Sequence, residues 1–242
     1  MTAAQGSSLI SGAINARDVG GLAAARARTR RGVLLRSGSL ARLDDAGREQ
    51  LRAFGLRRII DLRADDEVTR EPSALGDLQV TTRRAPLFLG SSESFFAEDL
   101  SLSTLYRRLV DESAPLIVDV VRDITQGHPV LVHCTAGKDR TGVTVALTLA
   151  AAGVDEDAII ADYARTESAL PPRRTAAVLA FAKQNYPDAR NLAQLVGGSP
   201  AEAMAELLAD LRARYGAPVE YLRAHGLGDD EIAELGRVLI EK

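Results

Sequence analysis

Residues 130–142 constrain the fold and the chemistry of this chain more than any other stretch. They read Val-Leu-Val-His-Cys-Thr-Ala-Gly-Lys-Asp-Arg-Thr-Gly, which predicts a short apolar strand, a loop, and a helix over 141–152 that stops at a glycine. A helix N-terminus carries unpaired N–H groups and partial positive charge, so it is a ready site for an anion. The chain's one cysteine, Cys134, lies in this loop between the strand and two cationic side chains. The stretch therefore predicts a reactive thiolate beside a phosphate-like dianion.

Length and composition narrow the classes of protein that remain. At 242 residues the chain is long enough for one well-cored domain, and a net charge of -3 argues against a nucleic-acid partner. One cysteine excludes an intramolecular disulfide, and three histidines without ligand spacing argue against a metal site. We therefore expect no metal and no cofactor. No signal peptide or membrane-spanning run is visible, so we expect a cytoplasmic protein without stable membrane insertion.

The remaining pattern predicts an α/β architecture. Strands are expected over 32–37, 56–63 and 78–88, and a helix begins at Asp44 or Asp45 and runs through Phe54. The polar segment 90–102 predicts a mobile loop, and 105–126 a helix broken near Pro115. Further helices are expected near 155–168, 172–184, 200–214, 219–225 and 229–240. We expect a mixed, largely parallel sheet with helices on both faces and a helical C-terminal third. The arginine-dense segment 26–31 predicts a solvated hairpin tip rather than a basic docking patch.

Several motifs in order resemble one family. The run His133 to Gly142 is similar to the His-Cys-x5-Arg-Thr-Gly signature of cysteine-dependent protein tyrosine phosphatases. Its Ala-Gly-Lys-Asp-Arg interior resembles the bacterial branch that includes secreted mycobacterial and listerial phosphatases. Asn-x-Arg-Asp-x-Gly-Gly before residue 22, Leu-Arg-Ser-Gly-Ser-Leu over 35–40, Ile-Asp-Leu-Arg over 60–63, and Asp-Tyr-Ala-Arg-Thr over 162–166 resemble the same group.

The resemblance implies one tyrosine-phosphatase-like domain over 1–242, with the cysteine-phosphatase fold. Segment 170–214 would form a lid, with a purely structural helical cap as an equal alternative, and 215–242 would form C-terminal helices. The implied substrates are phosphotyrosine proteins, with phosphoserine, phosphothreonine, other phosphorylated small molecules and phosphoinositides also accepted. Export without an evident signal peptide also occurs in the resembled group.

The resemblance implies a division of roles within the loop. Cys134 would attack phosphorus and form a phosphocysteine, while Arg140 clamps two phosphate oxygens with its planar fork. Backbone N–H groups would cradle the phosphate, with His133 orienting the loop and Thr141 donating to the sulfur. The residues expected to bind phosphate are Thr135, Ala136, Gly137, Lys138, Thr141 and Gly142.

The general acid that protonates the leaving oxygen is open on sequence grounds. Asp139, next to the bound phosphate, is preferred because like-charge repulsion there favours its protonated form. Asp61 is the second carboxylate, with a salt bridge to a neighbouring arginine as an equal alternative. Glu93, Glu98 and Asp99 stay as further candidates.

Lys138 is expected to add a second cation over the pocket, which would permit secondary hydrolysis of phosphoinositides. Two other functions stay as alternatives. A rhodanese-like sulfurtransferase also holds a cysteine in a helix-capping loop, and a non-catalytic pseudophosphatase would bind phosphoproteins without turnover. The physiological substrate and the oligomeric state do not follow from the sequence.

Overall fold

The sheet has five strands, four of them parallel. The computed structural model describes residues 8–87 and 92–241, without the side chains of Ser92 and Glu93. The strands are β1 Arg17–Asp18, β2 Ala23–Ala24, β3 Ala27–Arg28, β4 Leu34–Ser37, β5 Arg58–Asp61, β6 Thr81–Arg84 and β7 Val130–His133. Their order in the sheet is β1-β4-β7-β5-β6, with β1 antiparallel to β4 and all other neighbours parallel, and β2 and β3 form a separate hairpin.

Helices fill most of the rest of the described chain. They are α1 Asp45–Ala53, α2 Asp65–Arg70, α3 Ser92–Ala97, α4 Leu102–Glu112, α5 Ala114–Gln126, α6 Asp139–Ala151, α7 Glu156–Ala169, α8 Pro172–Asn185, α9 Leu192–Val196, α10 Ala201–Tyr215, α11 Pro218–Ala224 and α12 Asp229–Leu239. The expected break near Pro115 falls between α4 and α5, because proline is tolerated in the first turn of a new helix. The α/β class and the largely parallel sheet are confirmed.

Alternation along the central strands places helices on both faces of the sheet. Leu35, Ile59 and Leu131 point to a core that α1 helps to close, whereas Ile60 and Val132 point to the larger core of the C-terminal helices. The helix α6 is buried along nearly its whole length, which agrees with its apolar sequence. None of the helices in the described part of the chain combines the length and hydropathy that a bilayer crossing requires.

The parallel register brings three sequence motifs to one edge of the sheet. Ser37 at the end of β4 and Asp61 at the end of β5 both lie beside His133 at the end of β7. Ligands collect at the carboxyl ends of strands in sheets of this kind. The loop with Cys134 therefore leaves the sheet between the two other motifs.

Three expectations about secondary structure are wrong in detail. The segment expected to be a loop contains α3, because Phe95 and Phe96 are both buried in the main core. The third strand is limited to β6, and Phe88 lies outside the described residues. The short α9 was not expected, since five residues are too few for helical periodicity to be visible.

Candidate active site

The loop after β7 forms the floor of a cavity of about 400 Å3. Cys134 is 3% exposed and lies at the end of the strand, and α6 begins five residues later at Asp139. The N–H groups of 135–140 donate no hydrogen bond to other residues that the structure describes, so they remain free for an anion. The cavity is lined by Arg63, Glu67, Arg70, Glu71, Phe95, Phe96, Cys134, Thr135, Ala136, Asp139, Arg140, Arg174, Ala177, Val178, Phe181, Leu195 and Val196.

Arg140 is fixed by a carboxylate from another element. Its two terminal nitrogens donate to the two oxygens of Glu67 at 2.5 and 2.8 Å, and Glu67 also accepts from the hydroxyl of Thr135. Burial alone would raise the pKa of Glu67, but the hydrogen bonds and charge of Arg140 outweigh this and lower it to about 2. The paired carboxylate in turn raises the pKa of Arg140 against the opposing effect of burial. The guanidinium is therefore always charged and held in one orientation.

The back of the loop is held by the first two motifs of the chain. Asn15 donates from Nδ2 to the carbonyls of Ala136 and Gly137, at 3.2 and 2.9 Å. Arg36 donates to the same Gly137 carbonyl at 2.9 Å. Asn15 itself has φ +54°, a conformation that asparagine adopts more readily than most residues. These contacts occupy the carbonyls of Ala136 and Gly137, so the backbone groups of the loop that are left for a ligand are the N–H donors.

A buried ion cluster anchors this support. Asp162 of α7 accepts from Arg17 at 2.8 Å and from Arg36 at 2.7 Å, and all three side chains are buried. Burial, and after it the charge of Arg36, lower the pKa of Arg17 to about 10. Burial opposes ionisation of Asp162, but the two arginines outweigh it and hold its pKa below the usual range. The cluster joins the N-terminal strand, the sheet and a C-terminal helix behind the loop.

Gly137 meets both a conformational and a steric requirement. Its φ is +69°, and a Cβ atom there would lie 2.4 Å from the carbonyl oxygen of Ser37. On the other side of this contact, a Cβ on Gly38 would approach the Ala136 backbone to 3.1 Å. The loop therefore packs backbone against backbone on the end of β4.

Asp139 lies at the first position of α6 and lines the cavity. Its Oδ1 accepts from Lys138 Nζ at 2.6 Å and from the Tyr106 hydroxyl at 2.9 Å. The Tyr106 and Tyr163 hydroxyls are 2.5 Å apart, and burial raises the pKa of both phenols. Both tyrosines are therefore neutral at physiological pH, and Tyr106 acts as a hydrogen-bond donor to the carboxylate.

His133 and Asp61 lie beneath the loop rather than in the cavity. Burial is the main reason that the pKa of His133 falls to about 4, so its ring is neutral at pH 7. The ring N–H at Nδ1 donates to the Cys134 carbonyl at 3.3 Å. Asp61 accepts from Arg63 at 2.8 Å, and this contact outweighs burial and holds the pKa of Asp61 below its usual range.

Comparison with known proteins places this geometry in a family. The protein-family model described as "Tyrosine phosphatase family" matches residues 9–241. The chain belongs to the tyrosine phosphatase family. It is 32% identical to the triple specificity protein phosphatase PtpB of Mycobacterium tuberculosis, over 95% of this chain and 97% of that protein. It is also 32% identical to a tyrosine-protein phosphatase of Nostoc commune, over 83% of this chain and 72% of that protein. The TpbA crystal structure from P. aeruginosa shows 18% identity to this chain and a TM-score of 0.32, with 76% of this chain and 97% of that chain covered.

In this tyrosine phosphatase the structure brings most of the expected loop residues together. Cys134, Thr135, Ala136, Asp139 and Arg140 line the cavity. Gly137 and Gly142 lie behind the cavity. A Cβ atom on Gly142 would lie only 3.1 Å from the ring of Tyr163, so glycine permits this close packing. His133 contacts the loop backbone at the Cys134 carbonyl, and its orienting role stays a prediction.

Two loop residues are placed differently from expectation. Lys138 is fully buried, donates to Asp139 and to the Gln194 carbonyl of α9, and does not extend over the cavity. The cause is the nearby carboxylate, which a buried ammonium requires as a partner. The Thr141 hydroxyl has no hydrogen-bond partner among the described residues, so its expected bond to the sulfur is not formed in this structure.

Two of the other candidate acids, Glu98 and Asp99, do not line the cavity. Glu98 pairs with Arg108 at 2.5 Å on the surface. Asp99 accepts from the backbone N–H groups of Arg190 and Asn191, which lower its pKa. The side chain of Glu93 lies outside the described residues. Among the candidate acids whose side chains the structure describes, Asp139 lines the cavity, and its role as general acid stays a prediction.

Glu67 and Arg174 line the cavity but were not anticipated from the sequence. Glu67 carries one visible signal, since it is the third residue of α2 and accepts from the N–H of Ala64 in a capping arrangement. That signal predicts a helix start and says nothing about Arg140, which lies 73 positions later. Arg174 has no sequence signal, because a lone arginine on a helix is most often solvated.

The segment 170–214 consists of two different parts. In α8 only Ala182 is buried, and this helix contributes a wall of the cavity together with α9. In α10 five residues are buried and the helix packs against α4, α7 and α11. The lid role of 170–214 stays a prediction, and α8 and α9 are the parts of this segment that line the cavity.

Proposed function

We propose that this chain hydrolyses phosphotyrosine in proteins through a phosphocysteine on Cys134. The observation that carries the proposal is that Cys134, the loop with free N–H groups and the Arg140 guanidinium oriented by Glu67 all line one cavity. In that arrangement a phosphate dianion would accept from the backbone and the guanidinium next to the nucleophile.

The first step transfers the phosphoryl group. The Cys134 thiolate attacks phosphorus, an S–P bond forms, and the bond from phosphorus to the ester oxygen breaks. The ester oxygen leaves with a proton from Asp139, which lines the same cavity. Arg140 and the loop N–H groups bind the nonbridging oxygens and stabilise the charge that develops on them.

The second step returns the enzyme to its starting state. A water molecule attacks phosphorus of the phosphocysteine while the Asp139 carboxylate accepts its proton. The S–P bond breaks, inorganic phosphate leaves and Cys134 is again a thiolate. Lys138 and Tyr106 keep Asp139 in place during both proton transfers.

The cavity wall favours an aryl ester. Phe95, Phe96, Val178, Phe181 and Leu195 form an apolar surface on which a phosphorylated aromatic ring would pack. Hydrolysis of phosphoserine, phosphothreonine and phosphoinositides belongs to the proposal as a secondary activity, in line with the name triple specificity carried by the mycobacterial relative. Because Lys138 faces Asp139, we expect phosphoinositide turnover to be the weaker activity.

The test measures hydrolysis of p-nitrophenyl phosphate and of a phosphotyrosine peptide by the wild type and Cys134→Ser, with EDTA and without added metal. We expect turnover by the wild type and a loss of at least about a thousandfold in the variant. Thermal unfolding of both proteins controls for loss of fold.

Three outcomes would contradict the proposal. Turnover that survives Cys134→Ser would remove the cysteine from the mechanism. Tight binding of the phosphotyrosine peptide without turnover by fresh, reduced wild type would indicate a pseudophosphatase. Transfer of sulfur from thiosulfate to cyanide in place of phosphate release would indicate a sulfurtransferase.

A further inference from the structure

The helix α8 presents a mixed stripe to the active-site cavity. Arg174, Ala177, Val178 and Phe181 all line it, and their spacing of three and four places them on one face of the helix. Phe181 at the outer end of the stripe is 51% exposed, which is unusual for so large an apolar side chain. This face therefore combines one cation with apolar contact surface.

Arg174 differs from the other three arginines that line the cavity. Arg140 is paired with Glu67, Arg63 with Asp61, and Arg70 with Asp66. For Arg174 there is neither an ion pair nor a hydrogen bond to any part of the chain that the structure describes. Burial lowers the pKa of this guanidinium, while the charges of Glu71 and Cys134 partly offset the effect.

An unpaired, partly desolvated arginine is costly unless a ligand supplies its partner. In the proposed mechanism the loop N–H groups and Arg140 bind the reacting phosphoryl group. We therefore expect Arg174 to bind a second anionic group of the substrate. The surface next to Arg174 is apolar, through Val178 and Phe181. An aromatic phosphate would pack there, whereas the hydroxylated ring of an inositol phosphate would lose hydration.

Resting on the phosphotyrosine phosphatase activity proposed above, we propose that Arg174 is a specificity-determining residue. It binds the carboxylate of an aspartate or glutamate that neighbours phosphotyrosine in a peptide, while Val178 and Phe181 contact the phosphorylated ring. The second cation of the cavity thus comes from α8 and not from the catalytic loop.

The experiment compares two phosphotyrosine peptides that differ only by glutamate or glutamine next to the phosphotyrosine. The readout is the ratio of their kcat/KM values for the wild type, Arg174→Ala and Arg174→Lys. Arg173→Ala is the matched control, because Arg173 is an exposed arginine on the same helix that does not line the cavity. Binding of both peptides to a Cys134→Ser protein with and without Arg174→Ala gives the same ratio without turnover.

We expect the wild type to prefer the glutamate peptide about tenfold, mainly through KM, as one charge-assisted contact would give. Arg174→Ala should reduce the preference to below about twofold, and Arg174→Lys should leave an intermediate value since it keeps charge without the fork. Arg173→Ala should retain the wild-type preference and activity.

Several results would overturn the proposal. A wild type without preference, or an Arg174→Ala variant with the full preference, would show that no carboxylate is bound there. An equal loss on both peptides would place Arg174 on the reacting phosphoryl group instead. If Arg174→Ala slowed the hydrolysis of vesicles of phosphatidylinositol phosphates and left the hydrolysis of both peptides unchanged, Arg174 would be assigned to a lipid headgroup. Absence of p-nitrophenyl phosphate turnover by the wild type would instead mark failure of the underlying phosphatase function.

Discussion

At the scale of single residues, the fork of Arg140 depends on one partner carboxylate. Glu67 binds both terminal nitrogens of Arg140 and is itself oriented by Thr135 and the backbone at Ala64. Both members of the pair are buried, so removing one leaves an uncompensated charge. Glu67 is therefore a positioning residue for the phosphate-binding arginine.

Glu67→Gln should lower kcat/KM for p-nitrophenyl phosphate about tenfold or more and destabilise the fold by about 3 kcal/mol at pH 7. Since the pKa of Glu67 is lowered from an ordinary 4.5 to about 2, its stabilising effect is complete above pH 4.5 and declines as the pH falls towards 2. Urea unfolding at pH 7 and at pH 3 should show the gap between the two proteins narrowing at pH 3. Glu71→Gln, an exposed neighbour, should change stability by less than about 0.5 kcal/mol. A pH-independent gap would contradict this account.

Asp139→Asn tests the general acid. A nitrophenolate leaves without help, whereas the alkoxide of phosphoserine needs a proton, so the variant should lose about 10- to 100-fold more activity on a phosphoserine peptide than on p-nitrophenyl phosphate. The measurement is kcat/KM on both substrates, with Glu98→Gln as a surface control that should match the wild type. Equal losses of kcat/KM on the two substrates would show that another group is the general acid.

At the scale of elements, the geometry of the site is set by the way the catalytic loop lies on the end of β4. The loop carbonyls are bound by Asn15 and Arg36, and the backbone at Gly137 touches Ser37 directly. The N-terminal segment and the first parallel strand thus shape a loop that lies about a hundred positions later. This explains why two N-terminal motifs accompany the signature around Cys134.

Gly137→Ala should abolish most activity, with a loss of about a hundredfold or more in kcat/KM. The new Cβ would combine a left-handed φ with a contact of 2.4 Å to the Ser37 carbonyl, so the loop must move. Gly153→Ala is the matched control, since its φ is +84° but no atom lies within 4 Å of a Cβ there. It should cost about 1–2 kcal/mol in urea unfolding and keep activity. Equal losses of activity in the two variants would show that the backbone strain of a positive φ, and not the contact with Ser37, causes the effect.

At the scale of the whole molecule, contacts between distant parts of the chain hold the site together. The segment after β3 meets the C-terminal residues where the Arg30 N–H donates to the Leu239 carbonyl and the Glu241 N–H donates to the Arg28 carbonyl. These backbone bonds fix the arginine-dense segment beside the β2–β3 hairpin, and its expected lack of a docking role stays a prediction. Behind the loop, Asp162 joins Arg17 and Arg36 from two strands.

Asp162→Asn should destabilise the protein by about 3–5 kcal/mol, because it leaves two buried arginines without a countercharge. Since its pKa is held low, the contribution of Asp162 is present above its ordinary pKa and is lost as the pH falls below it. Urea unfolding at pH 7 measures the effect. Arg165→Ala is the control, as that side chain is 61% exposed and 4.0 Å from Asp162. A change below 1 kcal/mol for Asp162→Asn would show that the cluster is not a stability element.

The local pattern of the chain was enough to predict the strand, loop and helix around Cys134, the parallel sheet and most helix boundaries. Periodicity and signature spacing act over a few residues, and the α/β class followed from them. The placement of Lys138, Glu67 and Arg174 did not follow, because each depends on which distant elements pack together. Lys138 turned inward to Asp139 beneath α9, Glu67 reached Arg140 across 73 positions, and α8 supplied the unpaired arginine. The tertiary structure therefore decides which charged side chains face the cavity. The physical reason is that the burial of a charged side chain and its ion-pair partner both depend on residues that are distant in the sequence.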